Sequence, residues 1–244
     1  MIFVLICLAG VVIGTAIGAT GIGGVLLVPF LTLSLGIDVK QAIGAALLSY
    51  LPSCVVAVWL YGRRGSIPWR EAWFLCIAAL PTAWLGARAV QYAPARLLIA
   101  AIGILLLAGG TYSLLPQRMG GHRRLGKPTL LVLGGVTGFL AALTGAGGAF
   151  VLLPILLLLD MPVLPAIGLG MIIALPIAGL ASIANLLSGT LDIWLAVMLG
   201  VTLTIGIAIG TPIAHALPQR LLRRLLGSAV VIAGAAMLLR TAFS

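Results

Sequence analysis

The chain has 244 residues, 62% of them hydrophobic and only 7% charged, whereas soluble domains run at roughly half apolar and about a quarter charged. No soluble fold could hide that much apolar surface. A helical span takes roughly 20 apolar residues, which leaves room for about eight to ten segments and no further soluble domain. Fourteen Lys and Arg against four Asp and Glu give a net charge of +10. Because the basic residues sit in short breaks between apolar runs, they read as topology signals beside anionic lipid headgroups and not as a nucleic-acid surface.

In chain order, the first apolar stretch covers residues 2–35 and is interrupted by Gly18-Ala19-Thr20-Gly21-Ile22-Gly23-Gly24. Glycine costs a helix about 1 kcal/mol relative to Ala, so this cluster predicts a break or tight turn inside the membrane. The flanking pieces, near 2–18 and 24–35, are each too short to span comfortably. Spans follow near 42–61, 71–90 and 97–115. A basic linker at 118–128 separates this first repeat, 1–117, from a second, 129–244, whose opening stretch 129–159 is broken again by Thr144-Gly145-Ala146-Gly147-Gly148. Pro29, Pro52, Pro154 and Pro176 mark expected helix breaks.

Residues 124 positions apart match along nearly the whole chain: Gly10 with Gly134, Gly14 with Gly138, the Thr20 run with the Thr144 run, and Ala42-Ile43-Gly44 with Ala166-Ile167-Gly168. Pro52 with Pro176, Gly65 with Gly189, Gly86 with Gly210, and Arg96-Leu97-Leu98 with Arg220-Leu221-Leu222 continue the register. Each half holds five segments, and an odd number sends the second half into the membrane from the opposite side. The charges agree: the break at Gly65 carries Arg63, Arg64 and Arg70, while its counterpart at Gly189 carries only Asp192. Placing loops 62–70, 116–127 and 215–224 in the cytoplasm puts ten of the fourteen basic residues inside, with Lys40, Arg88, Arg96 and Arg240 as exceptions. The expected fold is an all-α integral membrane protein of two inverted-topology repeats, each opened by a glycine-broken or re-entrant hairpin.

Irregular backbone survives at membrane depth only where it is buried in protein or lines a wet cavity. The second limb of each hairpin begins at Gly24 or Gly148, where unpaired N–H groups and a partial positive charge suit an anion. Candidate binding residues are therefore Thr20, Gly21, Gly23 and Gly24 in the first half and Thr144, Gly145, Gly147 and Gly148 in the second. Ser49 and Asn185, polar positions within apolar spans near Pro52 and the Gly189 loop, join them as path-lining candidates, as do Ser53, Ser182 and Thr204. Asp38, Glu71, Asp160 and Asp192 fall at span ends or loops, so carboxylate-based proton coupling is not expected. Cys7, Cys54 and Cys76 lack metal-ligand spacing and read as packing residues, and His122 and His215 lie in basic loops. No metal or cofactor is expected, and an enzyme would need acids, His or Cys gathered inside the spans. Trp59, Tyr61, Trp69, Trp73 and Trp194 flank the Gly65 and Gly189 loops as an interfacial belt.

These residues resemble the sulfite exporter TauE/SafE family of bacterial membrane proteins. The resemblance rests on Gly21-Ile22-Gly23-Gly24 leading to Pro29, on Gly145-Ala146-Gly147-Gly148 leading to Pro154, on the two Ala-Ile-Gly runs and on the loops at Gly65 and Gly189. Two departures stand out: the first run reaches its proline one residue sooner, and Val25 and Ala149 occupy positions where the family often has a third glycine. The resemblance implies a secondary transporter of the bacterial inner membrane exporting sulfite or an organosulfonate. A ten-segment inverted-repeat carrier for neutral or amphipathic metabolites and an anion channel share the apolar pattern. Both stay open at this stage, as does the oligomeric state.

Overall fold

The computed structural model describes residues 2–114, 125–159, 161–216 and 219–243. Ten helices occupy them, with no strand among the described residues: α1 (Ile2–Thr20), α2 (Gly23–Ser34), α3 (Val39–Arg63), α4 (Trp69–Tyr92), α5 (Ala95–Leu114), α6 (Lys127–Thr144), α7 (Gly148–Leu158), α8 (Val163–Leu187), α9 (Ile193–Ala216) and α10 (Gln219–Phe243). Helices α3, α4, α5, α6, α8 and α9 are long and apolar enough to cross a membrane. They turn apolar side chains outward as well as inward: Leu85, Ile104, Val132 and Val201 are all more than half exposed. The molecule is a multi-pass membrane protein whose outer face suits hydrocarbon.

Polar groups are spent on helix ends. Asp38 Oδ2 accepts the Lys40 N–H at 2.9 Å where α3 begins, and Asp192 Oδ1 accepts the Leu195 N–H at 3.0 Å where α9 begins. Lys40 Nζ donates to Gln91 O at 2.9 Å, and Gln91 Nε2 donates to Ala184 O at 3.2 Å, tying the start of α3 to the ends of α4 and α8. The matched loops fold alike. Ser66 N–H donates to Tyr61 O at 3.0 Å after α3, and Thr190 N–H donates to Asn185 O at 3.2 Å after α8.

Helix packing depends on small residues, as expected where lipid removes the hydrophobic drive between helices. Helix α1 runs parallel to α9, and a methyl group at Gly14 would stand 2.5 Å from Leu203 O. Helix α6 runs parallel to α4, and a methyl at Gly138 would stand 2.7 Å from Ala79 O. Gly14 and Gly138 are 124 residues apart, as are Ala79 and Leu203, so one contact is made twice with the halves exchanged. Helices α3 and α8 cross in opposite directions: Gly44, early in α3, faces Asn185 and Thr190, while Gly168, early in α8, faces Ser66 and Ile67. Helices α5 and α10 are likewise antiparallel, with Gly103 against Leu238 and Gly110 against Val231.

Several expectations are corrected. Pro52, Pro154 and Pro176 do not break their helices but lie inside α3, α7 and α8. A proline removes one N–H and frees the carbonyl four residues earlier, which a membrane helix tolerates when a neighbour satisfies it. For Pro176 that carbonyl is Ile172 O, and the Cys76 thiol of α4 donates to it at 3.9 Å. Around Pro52 the neighbouring helix makes room instead, since a methyl at Gly200 of α9 would come within 3.1 Å of the ring. Only Pro29 coincides with a change of geometry: α2 runs as a 3-10 turn through Gly23–Leu26, an α turn through Leu27–Pro29 and a π turn through Phe30–Ser34.

The hairpin limbs are unequal. Helices α1 and α6 have 19 and 18 residues, about 27 Å at a 1.5 Å rise, and of the two only α6 is among the helices long and apolar enough to cross. The second limbs, α2 and α7, are shorter still. Trp59, Trp69, Trp73 and Trp194 are more than half exposed, and the Arg63 guanidinium lies 4.7 Å over the Trp59 ring. Tyr61 leaves that belt: it is buried, and its hydroxyl donates to Gly18 O at 2.8 Å. The linker charges Arg118, Arg123 and Arg124, with His122 and Asp160, lie outside the described residues.

Candidate functional site

The chain leaves α1 through Gly21 (φ +75) and leaves α6 through Gly145 (φ +65) and Gly147 (φ +76). A Cβ at such left-handed positions crowds the backbone, which is why the reversals fall on glycine. Both turns are buried except for partial exposure at Gly147, and they meet. A methyl at Gly24 would lie 3.5 Å from Ala146 O, and one at Gly21 would lie 3.7 Å from Ala149 Cβ. Each turn also rests on the long helix of the other half, Gly21 on Ile167 and Gly145 on Ile43. The repeated Ala-Ile-Gly run is thus a docking surface for the opposite hairpin.

At the starts of α2 and α7, the N–H groups of Gly23, Gly24, Gly147 and Gly148 have no hydrogen-bond partner among the described residues. Gly21, Gly24, Gly145 and Gly147 gather at the junction. Gly23 and Gly148 also serve packing: a methyl at Gly23 would stand 2.7 Å from Ala16 Cβ, and one at Gly148 would stand 2.8 Å from Ile173 Cγ2. The hydroxyls expected to face an anion are committed elsewhere. Thr20 Oγ1 donates to Ala16 O at 2.8 Å and accepts the Ile22 N–H at 3.3 Å, while Thr144 Oγ1 donates to Leu140 O at 2.7 Å. Such bonding to the preceding turn is the usual fate of Thr in a helix; both residues shape the turns.

Ser49 is buried, its hydroxyl donating to Ala46 O at 2.7 Å, and its backbone lies against Gly200 of α9. Asn185 lies beside Gly44 near the end of α8. Its amide is fully buried, and neither Nδ2 nor Oδ1 has a partner. Ser182 Oγ, one turn earlier on the same face, and Thr137 Oγ1 of α6 are also buried and unpartnered. Buried polar groups nearly always find a partner, so these three are exceptions among the described residues. All three lie in the second half, at positions matched by Val58, Tyr61 and Ile13 in the first.

One residue went unnoticed in the sequence. Tyr50, at the middle of α3, is buried, and its hydroxyl lies 2.6 Å from Gly24 O and 3.3 Å from Gly145 O. The available signal was a phenol in mid-span, where a buried O–H requires a partner. Its match in the second half is Ala174. Among the described residues no three of His, Cys, Asp and Glu are grouped to hold a metal ion.

A multi-pass helical bundle in which two broken hairpins meet in the interior has the build of a membrane transporter. Comparison with known proteins agrees and narrows the class. The profile of the sulfite exporter TauE/SafE family matches residues 6–237, and the chain belongs to that family. It is 28% identical over 193 residues to a probable membrane transporter protein of Methanocaldococcus jannaschii, covering 75% of this chain and 71% of the relative. No solved structure matches.

Proposed function

We propose that the protein exports a small anion, sulfite or an organosulfonate, across the bacterial inner membrane by alternating access, with the anion held between the starts of α2 and α7 near the midplane. The observation that carries this reading is the set of unpartnered N–H groups at Gly23, Gly24, Gly147 and Gly148 on two hairpins that touch inside the protein. Backbone donors at helix starts favour negative charge without a buried Arg. The family's sulfite-exporting members support the choice of sulfur oxyanions.

Two inverted-topology repeats fit the packing, in which the α1–α9 and α4–α6 contacts exchange under the 124-residue register while α3–α8 and α5–α10 run antiparallel. The loop after α3 then faces the cytoplasm and the loop after α8 the opposite side. An anion leaving a cell with a negative interior gains about 2.3 kcal/mol per charge per 100 mV, so the membrane potential suffices to drive export. Flux that ignores an imposed potential in substrate-loaded vesicles would count against that drive.

The test is thermal unfolding of the purified protein in detergent with sulfite, sulfoacetate, taurine, sulfate, lactate and neutral solutes, since a ligand that binds the folded state raises its stability. Stabilisation by sulfur oxyanions alone is expected. Stabilisation by neutral or amphipathic solutes alone would overturn the reading.

A further inference from the structure

We propose that the Tyr50 hydroxyl is the side-chain donor that recognises the anion and, in turning to it, unlatches the first hairpin from the second. This inference rests on the anion reading above. A phenol has one O–H, and Tyr50 places it between two carbonyls on different hairpins, Gly24 O at 2.6 Å and Gly145 O at 3.3 Å. The ring runs alongside the second turn, 3.6 Å from where a Gly147 methyl would be. Tyr50 therefore touches both glycine breaks at the depth where the backbone N–H groups are unpartnered.

Both carbonyls are neutral acceptors. A hydrogen bond to an ionised acceptor is roughly twice as strong, so an oxyanion arriving beside Tyr50 draws the O–H away from them. The bridge between the hairpins opens as the anion is bound. The differential interaction that any ligand-driven change requires is then explicit, because the anion binds the unlatched arrangement better than the latched one.

The repeat makes the latch one-sided. Where the first half has Tyr50, the second has Ala174, and Gly148 of α7 docks directly on the α8 backbone, a methyl there standing 3.2 Å from Ala174 N. The first hairpin instead meets α3 through the phenol, with Gly24 facing Tyr50 Oη. Its second limb is also the irregular one, changing from 3-10 to α to π geometry within Gly23–Ser34. Helix α2 is thus the limb that the latch releases, and α7 stays fixed on α8.

The experiment uses the full chain with Tyr50→Phe, which keeps the ring and removes the donor. Sulfite and sulfoacetate binding are measured by calorimetry, and amide hydrogen exchange of α2 is followed with and without sulfite. Tyr50→Phe should bind about tenfold more weakly, in line with loss of one charge-assisted hydrogen bond. Sulfite should speed α2 exchange in the wild type and leave it unchanged in the variant, where the limb is already released. Site-specific 3-fluorotyrosine at position 50, a stronger donor of the same shape, should tighten binding, and it carries the test if the Phe variant folds poorly. Wild-type binding matched by both replacements within twofold would overturn the role of Tyr50 alone. No binding of either anion to the wild type would overturn this role together with the anion reading.

Discussion

Gly145 leaves no room for a side chain against Ile43 across the two halves: a methyl added at 145 would stand 3.2 Å from Ile43 Cα and 2.9 Å from a Val28 methyl. Gly21 repeats the arrangement on Ile167 more loosely, with 3.4 Å to the nearest side-chain carbon. Both glycines have positive φ, so an alanine adds about 1–2 kcal/mol of backbone strain at either position. Only at 145 does it also drive atoms into α3. Gly145→Ala should destabilise by about 2–3 kcal/mol and Gly21→Ala by about 1–2 kcal/mol. Thermal unfolding of the two variants checks the order, and equal losses would remove the asymmetry between the turns.

Close helix contact can be separated from helix propensity by three alanine variants. At Gly14 and Gly138 the new methyl meets a facing carbonyl oxygen at 2.5 and 2.7 Å, so each should lose about 1–3 kcal/mol. At Gly179, inside α8, the nearest atom is Leu51 Cδ2 at 3.9 Å, and Gly179→Ala should be neutral or stabilise by up to about 1 kcal/mol. A destabilised Gly179→Ala would show that α8 needs the glycine for motion or shape.

Cys76 and Pro176 should be coupled. Cys76→Ala removes the donor to Ile172 O, whereas Pro176→Ala gives that carbonyl an N–H within its own helix. Removing the thiol should cost a few tenths of a kcal/mol to about 1 kcal/mol with proline present, and nothing measurable without it. A double-mutant cycle by denaturation reads the difference directly. Additive effects would mean that the thiol does not satisfy the freed carbonyl.

Asn185→Leu exchanges a buried, unpartnered amide for an apolar side chain of similar volume. Removing an unsatisfied buried polar group should raise stability by about 1–3 kcal/mol. If the amide serves a passing solute or its water, transport into proteoliposomes should fall several-fold in the same variant. A gain in stability with unchanged flux would assign Asn185 no part in the path.

Sidedness follows from placing a single cysteine in each matched loop of a variant lacking Cys7, Cys54 and Cys76. Arg64→Cys should react with an impermeant thiol reagent only from the cytoplasmic side, and Ser188→Cys only from the other. Labelling of both from one side would exclude oppositely directed halves.

Much of this molecule can be read before any coordinates exist. The 124-residue register anticipates which glycines are structural because a close helix crossing leaves no room for a Cβ, and a contact made twice leaves its mark twice, as at Gly14 and Gly138. The hairpin turns at Gly21 and Gly145 were legible for the same reason. Proline was misleading at 52, 154 and 176, since whether a freed carbonyl breaks a helix depends on what lies opposite, and Cys76 is 96 residues from Ile172. The bonds of the Thr20 and Thr144 hydroxyls to Ala16 O and Leu140 O were not legible, because a hydroxyl in a helix can reach its own preceding turn before it reaches anything else.

The lipid surroundings, the helical class, the 124-residue register and the glycine turns were all legible in the residues, because these follow from apolar length and from backbone sterics local to each segment. Which groups meet across the halves came from the packing alone: Gly145 on Ile43, the Cys76 thiol on the carbonyl freed by Pro176, and the Tyr50 hydroxyl between Gly24 and Gly145. Such contacts depend on where distant helices cross. A residue such as Tyr50, absent from the repeat pattern, gains its meaning from the two hairpins that the fold brings to it.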